Sequence, residues 1–116
     1  MSIVSGLGKK AVVLAFVSAA VFATNANAVS VRGFSSCGGW VQDRAENNGW
    51  PHLSDESWVL GFLSGLALGT KEDVLKRADD PSIFLWIDNY CQANPLKRVT
   101  DAVMELFSEL AKQKHR

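Results

Sequence analysis

Two cysteines, Cys37 and Cys91, restrict the folds open to this chain of 116 residues more than any other feature. In an oxidising compartment, an even number of cysteines in a small domain usually means a disulfide, and two cysteines allow one intramolecular pairing. A bridge over so long an interval contributes about 4 kcal/mol in a loop-entropy treatment, which is comparable with the whole stability of a small domain. The sequence therefore favours a structural disulfide.

The alternatives for the cysteine pair are a catalytic thiol and a metal ligand. A redox pair normally has the Cys-x-x-Cys spacing, which is absent here. A metal site needs more ligands than two separate cysteines and a distant His52 supply. We therefore expect no metal and no other cofactor.

Residues 1–28 have the features of a secretory signal peptide. Lys9 and Lys10 precede an apolar stretch at residues 11–23, and Ala26-Asn27-Ala28 supplies the small residues that signal peptidase accepts. An uncleaved membrane anchor is the alternative, but the stretch is shorter than the roughly 20 residues needed to span a bilayer. We expect cleavage after Ala28, a periplasmic location and no membrane insertion of the mature chain.

Cleavage would leave a single small domain with a slight negative charge. All 12 acidic residues lie after Ala28, whereas Lys9 and Lys10 precede it, so ten of the 12 Lys and Arg residues remain. A nucleic-acid binder needs clustered cations, and this balance argues against that class of partner.

Hydrophobic periodicity predicts an all-α domain over residues 35–116, preceded by a flexible arm at residues 29–34. Its apolar stripes place Cys37 and Cys91 on inward faces and put Leu96 on the inner side of the last helix. No strand pattern is present. The expected helices are residues 37–46, 54–68, 71–78, 81–93 and 96–112. The residues expected to start them are, in the same order, Ser35 or Ser36, Ser54, Thr70, Asp80 with Pro81, and Asn94 with Pro95.

The second expected helix has no charged residue from Trp58 to Gly69 and is apolar nearly all round, which is typical of a helix buried on several sides. Gly61, Gly65 and Gly69 recur every four residues and would let another backbone approach closely. We expect tight packing within a small bundle. A self-association face, and therefore a homodimer, is the alternative.

Catalytic chemistry is poorly supported by the sequence. His52 precedes Asp55 and Glu56, but carboxylates there are explained by a helix start, and Asp88 is most simply a solvated side chain. No phosphate-binding loop and no nucleophile elbow is present. We expect no enzyme and name no catalytic residue, although a cavity holding His52 or Asp88 with other titratable groups would favour one.

Four tryptophans offer a different lead, since tryptophan both anchors small cores and dominates protein-binding surfaces. Helix periodicity predicts that three of them, Trp40, Trp58 and Trp86, are core residues. Trp50 follows a polar segment, and two interpretations of it remain open: it covers the core as a packing lid, or it is exposed and contacts another protein.

Three motifs resemble small exported bacterial proteins: Ser-Cys-Gly-x-Trp at residues 36–40, Trp-Val-Leu-Gly-Phe-Leu-Ser-Gly at 58–65, and Leu-Trp-Ile-Asp-Asn-Tyr-Cys-x-x-Asn-Pro at 85–95. The chain is similar to periplasmic proteins with an HdeA-like helical fold, in particular the Rap/Tai-type immunity group, over about residues 35–112.

The resemblance implies a four- to five-helix orthogonal bundle with one disulfide that works by binding another protein. An immunity-type protein blocks a secreted toxin while remaining folded, and an HdeA-type chaperone opens in acid to hold unfolding clients. A small enzyme or ligand carrier is the remaining alternative. The chain lacks lysine-rich ends of the acid-chaperone kind beyond its short C-terminal tail, and fold alone does not decide between these roles.

Overall fold

A computed structural model describes residues 29–33, 35–46 and 49–114 of the chain. Within these residues there are four α-helices and no strand: α1 Cys37–Glu46, α2 Trp50–Thr70, α3 Asp80–Ala93 and α4 Val99–Lys114, with a single 3₁₀ turn at Leu75–Arg77. The expected all-α fold is therefore confirmed. The expected signal peptide, residues 1–28, lies outside the described residues, and its cleavage stays a prediction.

The disulfide joins the start of α1 to the end of α3, with 4.7 Å between the Cα atoms of Cys37 and Cys91. Both cysteines are fully buried, so the inward orientation predicted from periodicity is confirmed together with the bridge. All four helices contribute to the core around it, which is made of Cys37, Trp40, Val59, Leu63, Val74, Ile83, Ile87, Cys91, Val99, Ala102, Val103, Leu106 and Leu110.

The first helix follows its prediction. Ser36 Oγ accepts a hydrogen bond from Gly39 N at 3.0 Å, so Ser36 caps α1. The segment before α1 is also attached to α4, because Val99 N donates to Ser35 O and Cys37 N donates to Lys97 O, at 3.0 and 2.9 Å.

Arg32 and Gly33, which belong to the arm predicted at residues 29–34, contact α2 at Trp58. Trp58 Nε1 donates to Arg32 O at 2.9 Å. Gly33 has a φ of 77°, and a Cβ there would lie 3.1 Å from the Trp58 indole nitrogen, so the backbone passes close to that ring. The flexibility of the arm as a whole remains a prediction.

The predicted bounds of the second helix were wrong at both ends. The helix begins at Trp50, and Pro51 lies in its first turn, where the missing N–H is not needed and the restricted φ suits a helix. Ser54 is therefore inside α2 and does not cap it. At the other end, Gly69 remains helical and Lys71, with a φ of 58°, takes the left-handed conformation that ends the helix.

The predicted third helix at residues 71–78 does not form. Thr70 cannot cap it, because Thr70 is the last residue of α2 and its hydroxyl donates to Leu66 O at 2.7 Å. Only the 3₁₀ turn at Leu75–Arg77 remains, and Val74 before it is buried in the core. The described residues of the domain thus form four α-helices, the lower of the two numbers expected.

The last two helices form with shifted starts. Asp79 rather than Asp80 caps α3, since its Oδ1 accepts from Ser82 N at 2.9 Å. The fifth predicted helix begins three residues later than expected, at Val99, where Asp101 Oδ2 accepts from Arg98 N at 3.0 Å. Leu96 lies in the preceding turn and is 99% exposed, so its predicted inward position was wrong.

Among the described helices, none combines the length and apolar character required to cross a bilayer.

Candidate functional site

The side of α2 that faces away from the core is its most unusual surface. Val59 and Leu63 are the helix's fully buried residues, whereas Gly61, Gly65 and Gly69 are exposed. A Cβ built on any of these three glycines meets no atom of the described residues within 4 Å. The expected tight packing of the glycines inside the bundle was therefore wrong, because the other described helices cover the opposite side of α2.

Three large apolar side chains extend this exposed side at its two ends. Trp50 is 79% exposed and Leu53 is 54% exposed in the first turns, and Leu68 is 80% exposed in the last. Of the two interpretations of Trp50, the packing lid is contradicted and the exposed position is found. We call the set Trp50, Leu53, Ser57, Gly61, Ser64, Gly65, Leu68 and Gly69 the outer face of α2; all eight are exposed.

The outer face is also free of charge and poor in unsatisfied polar groups. No charged residue lies in α2 after Glu56. Ser64 Oγ donates to Leu60 O at 2.7 Å, so this hydroxyl is satisfied by its own helix. A partner that covers the middle of this face has little polar surface to desolvate, which favours protein contact.

A cluster of charged side chains joins α1, α2 and α3 on a different side of the domain. Arg44 of α1 donates to both oxygens of Asp88 in α3, with Nε–Oδ1 and Nη2–Oδ2 distances of 2.8 Å. Its Nη1 donates to Glu56 Oε1 of α2 at 2.6 Å. This bidentate geometry is the strong form of an arginine–carboxylate pair, and it fixes the three helices to one another. Hydrogen bonding to Asp88 raises the pKa of Arg44 above its ordinary value.

Aromatic rings hold this arginine cluster in place. The fully buried Trp40 donates its indole N–H to Asp88 Oδ1 at 2.7 Å. The Arg44 guanidinium carbon lies 5.6 Å from the Trp40 ring centroid and 5.7 Å from that of Phe84, within cation–π range. Asp88 is thus bound on both oxygens, contrary to its interpretation as a solvated side chain.

His52 belongs to the same cluster through Glu56. Its Nε2 lies 3.1 Å from Glu56 Oε1, one helical turn away, and its Nδ1 is buried without a hydrogen-bond partner among the described residues.

A second pair of carboxyl groups lies between α1 and α2. Asp55 Oδ2 is buried and accepts no hydrogen bond from any described residue. Burial first, and then the neighbouring Asp43 carboxyl, raise the pKa of Asp55 to about 7. Two carboxyl groups hydrogen-bond to each other only when one is protonated, so this contact is strongest when Asp55 holds its proton.

A cavity of about 380 Å³ opens beside the arginine cluster and is lined by Val41, Arg44, Ala45, His52, Asp88 and Gln92. It brings His52 and Asp88 together with Arg44, which is the arrangement that would favour an enzyme. Arg44 and Asp88 are, however, bound to each other, and among the described residues the lining contains no serine, threonine, cysteine or lysine to act as a nucleophile. The contacts observed at this cavity hold three helices together.

Metal binding finds no support in the part of the chain that is described, where no group of three or more His, Cys, Asp or Glu residues is arranged to hold an ion. Cys37 and Cys91 are used by the disulfide.

Sequence reasoning missed Arg44 and Glu56, although one signal for the cluster was present. Asp88 lies one helical turn before Cys91, and Cys91 is bound to the start of α1. Asp88 must therefore face α1, where Trp40 and Arg44 are also one turn apart. The outer face was identified only in part, through Trp50 and the three glycines, and Leu53 and Leu68 were not singled out.

Comparison with known proteins adds no relative: neither protein-family models, nor curated proteins, nor solved structures match this chain.

Proposed function

We propose that this chain is an exported protein-binding module of the HdeA-like kind, with an immunity-type role in which it blocks a secreted toxin. The observation that carries the proposal is the outer face of α2, where Trp50, Leu53 and Leu68 stand in solvent on a helix with no charge after Glu56. Tryptophan and leucine at such a site form the apolar centre of protein interfaces, and isolated domains rarely leave such a face uncovered.

The disulfide and the arginine cluster support a role in which the protein binds while folded. Both join α1 to α3, one through covalent sulfur atoms and the other through the pair of hydrogen bonds between Arg44 and Asp88. A rigid domain pays little conformational entropy on binding, which is what an inhibitor of a single partner requires. A non-enzymatic role is part of the proposal.

The neighbouring reading frame is the first place to look for the toxin. The protein encoded by that frame would be directed to the periplasm of indicator cells. The same cells would also export one of three chains: the parent, the Leu68→Asp variant or the Leu96→Asp variant. We expect the parent chain and Leu96→Asp to protect, and Leu68→Asp to fail. Leu96 is a matched control because it is the same residue type, 99% exposed and outside α2. Protection by all three chains, or by none, would contradict the proposal.

An acid-activated chaperone is the second candidate, and the arginine cluster is the observation that favours it. The charged contacts of Arg44 with Glu56 and Asp88 join three helices, and strong acid generally weakens electrostatic contacts of this kind while a disulfide persists. A chaperone would bind a hydrophobic dye and suppress aggregation of several clients at about pH 2. Unchanged dye binding between about pH 7 and pH 2 would eliminate this candidate and leave the immunity-type role.

A further inference from the structure

We propose that a pocket between α3, α4 and the turn at Leu75–Arg77 binds the carboxyl-terminal residue of another polypeptide, one that ends in an apolar side chain such as leucine. The pocket lies on other elements than the outer face of α2, so the inference does not rest on the proposed function. Three observations support it: an apolar floor, a free cation at the rim, and a volume that suits one side chain.

The floor of this pocket is apolar. Ile83 of α3 and the α4 residues Leu106 and Leu110 line it, and all three are buried members of the core. The half-buried ring of Trp86 also lines the pocket and stacks on Tyr90, with 5.6 Å between the ring centroids. An apolar side chain that enters the pocket therefore leaves water for an apolar surface, which is favourable.

Polar groups lie at the rim of the pocket. Arg77 and Gln113 line it and are exposed, and neither side chain has a hydrogen bond or an ion pair with any described residue. The third polar group is the hydroxyl of Ser82, which donates to the Asp79 carboxylate and therefore keeps its oxygen available as an acceptor. The rim thus offers one cation, one amide and one acceptor oxygen.

A free guanidinium beside an apolar floor is complementary to a carboxylate that lies close to an apolar side chain. The last residue of a polypeptide has both groups on the same Cα, whereas an internal residue does not. With its side chain on the floor, such a residue would present its carboxylate to Arg77 and Gln113 and its backbone N–H to Ser82 Oγ. An arginine and a carboxylate can pair through two parallel hydrogen bonds, which is the strong form of this contact.

The volume of the pocket, about 190 Å³, suits a single side chain. Sites for drug-sized ligands usually enclose about 300–1,000 Å³. A long fatty acid also carries a carboxylate on an apolar chain, but most of that chain would stay in water here. Size therefore favours the end of a polypeptide over a lipid.

The first experiment titrates the purified, isotope-labelled protein, with its disulfide intact, with the peptide acetyl-alanyl-alanyl-leucine. A proton–nitrogen correlation spectrum shows one indole signal for each tryptophan, and Trp86→Phe identifies the signal of Trp86. We expect that signal to shift, whereas the indole groups of Trp40 and Trp58, which donate to Asp88 and to Arg32 O, should not respond. A contact made by one residue predicts a dissociation constant of about 0.1–1 mM. The same peptide with a carboxyl-terminal amide should cause no shift.

The second experiment repeats the titration with variants of the rim and the wall. Arg77→Gln removes the cation and should weaken binding at least about tenfold. Lys76→Gln is the matched control, because Lys76 is the adjacent exposed cation and lies outside the pocket lining, and it should bind like the parent. Ala78→Leu would fill part of the pocket and should abolish binding. Circular dichroism would verify that each variant is folded.

An unchanged Trp86 signal up to about 10 mM peptide would overturn the inference, as would equal binding of the acid and amide peptides or undiminished binding by Arg77→Gln. A response to octanoate at lower concentration than to the peptide would overturn the polypeptide as the occupant. The proposed function fails separately: we expect Leu68→Asp to lose toxin protection and to bind the peptide like the parent, and Arg77→Gln to do the reverse.

Discussion

Replacing Arg44 by methionine is the sharpest test of how the three helices are held together. The guanidinium forms three charged hydrogen bonds, two to Asp88 and one to Glu56, and its side chain is 25% exposed while its partners are 19% and 18% exposed. Methionine fills a similar volume but leaves two carboxylates without their cation and removes the cation–π contact with Trp40.

The expected loss can be worked out from these contacts. A hydrogen bond to a charged group contributes about 1.5–3 kcal/mol, and removing one partner of a fully buried pair costs about 3–5 kcal/mol. Because water still reaches all three side chains, we expect about 2–3 kcal/mol for Arg44→Met. In a domain of this size that corresponds to a fall in melting temperature of about 10–20 °C.

Urea unfolding of the oxidised protein, followed by circular dichroism, would measure this loss. Arg98→Gln is the matched control, since its guanidinium is 61% exposed and lies 3.8 Å from Asp101, and we expect a change within about 0.5 kcal/mol. Arg44→Lys should fall between the two, because lysine keeps the charge but not the bidentate geometry. If Arg44→Met destabilises no more than Arg98→Gln, the cluster does not hold the helices.

Three further predictions concern pH and the disulfide. The pKa of Asp55 is raised to about 7 from an ordinary value of 3.8, so its stabilising effect is complete below about pH 4 and is lost as the pH rises through 7. Asp55→Asn should therefore be more stable than the parent at pH 8 in urea unfolding, and identical pH profiles would contradict this. The pKa of Asp79 is lowered by its hydrogen bonds to Ser82. The stabilising effect of this cap is therefore complete at a pH above the ordinary pKa of a carboxyl group, and it is lost in acid. The destabilisation caused by Asp79→Ala at pH 7 should accordingly decrease as the pH falls below 4, where the parent has lost the same cap. Replacing Cys37 and Cys91 together should lower the free energy of unfolding by about 4 kcal/mol in the same assay, and a loss below about 1 kcal/mol would show that α1 and α3 stay together without the bridge.

Local chemistry determined which parts of the fold could be predicted. The start of α1 depends on Ser36 and its apolar stripe, both of which are local, and the bridge followed from two stripes that each placed a cysteine inward. The second helix was predicted to start after Pro51, because proline interrupts a helix in its interior, but Pro51 lies in the first turn, where proline is favoured. Thr70 was misleading for a related reason, since its hydroxyl can satisfy either the end of one helix or the start of the next.

The candidate site was harder to predict because it depends on which helix covers which side. A helix that is apolar nearly all round has no periodicity to show its buried side, so Gly61 and Val59 could not be distinguished by pattern. Arg44 and Asp88 are 44 residues apart, and their contact arises from the disulfide and from the packing of α1 on α3. The one-turn spacing of Asp88 and Cys91 indicates only that Asp88 faces α1, and the pairing with Arg44 needs the tertiary arrangement.

The glycines of α2 are difficult to explain by stability alone. A glycine in an exposed helix interior costs about 1 kcal/mol relative to alanine, so Gly61 and Gly65 together cost about 2 kcal/mol, and Gly69 in the last turn costs less. Among the residues that the structure describes, no atom near a built Cβ offsets that cost. Residues that lower stability without an internal contact are typical of functional surfaces. Changing all three to alanine should therefore raise the free energy of unfolding by about 2 kcal/mol and at the same time weaken protection against the toxin. A triple variant that is more stable and still protects as well as the parent would show that close approach at these glycines is not what the face provides.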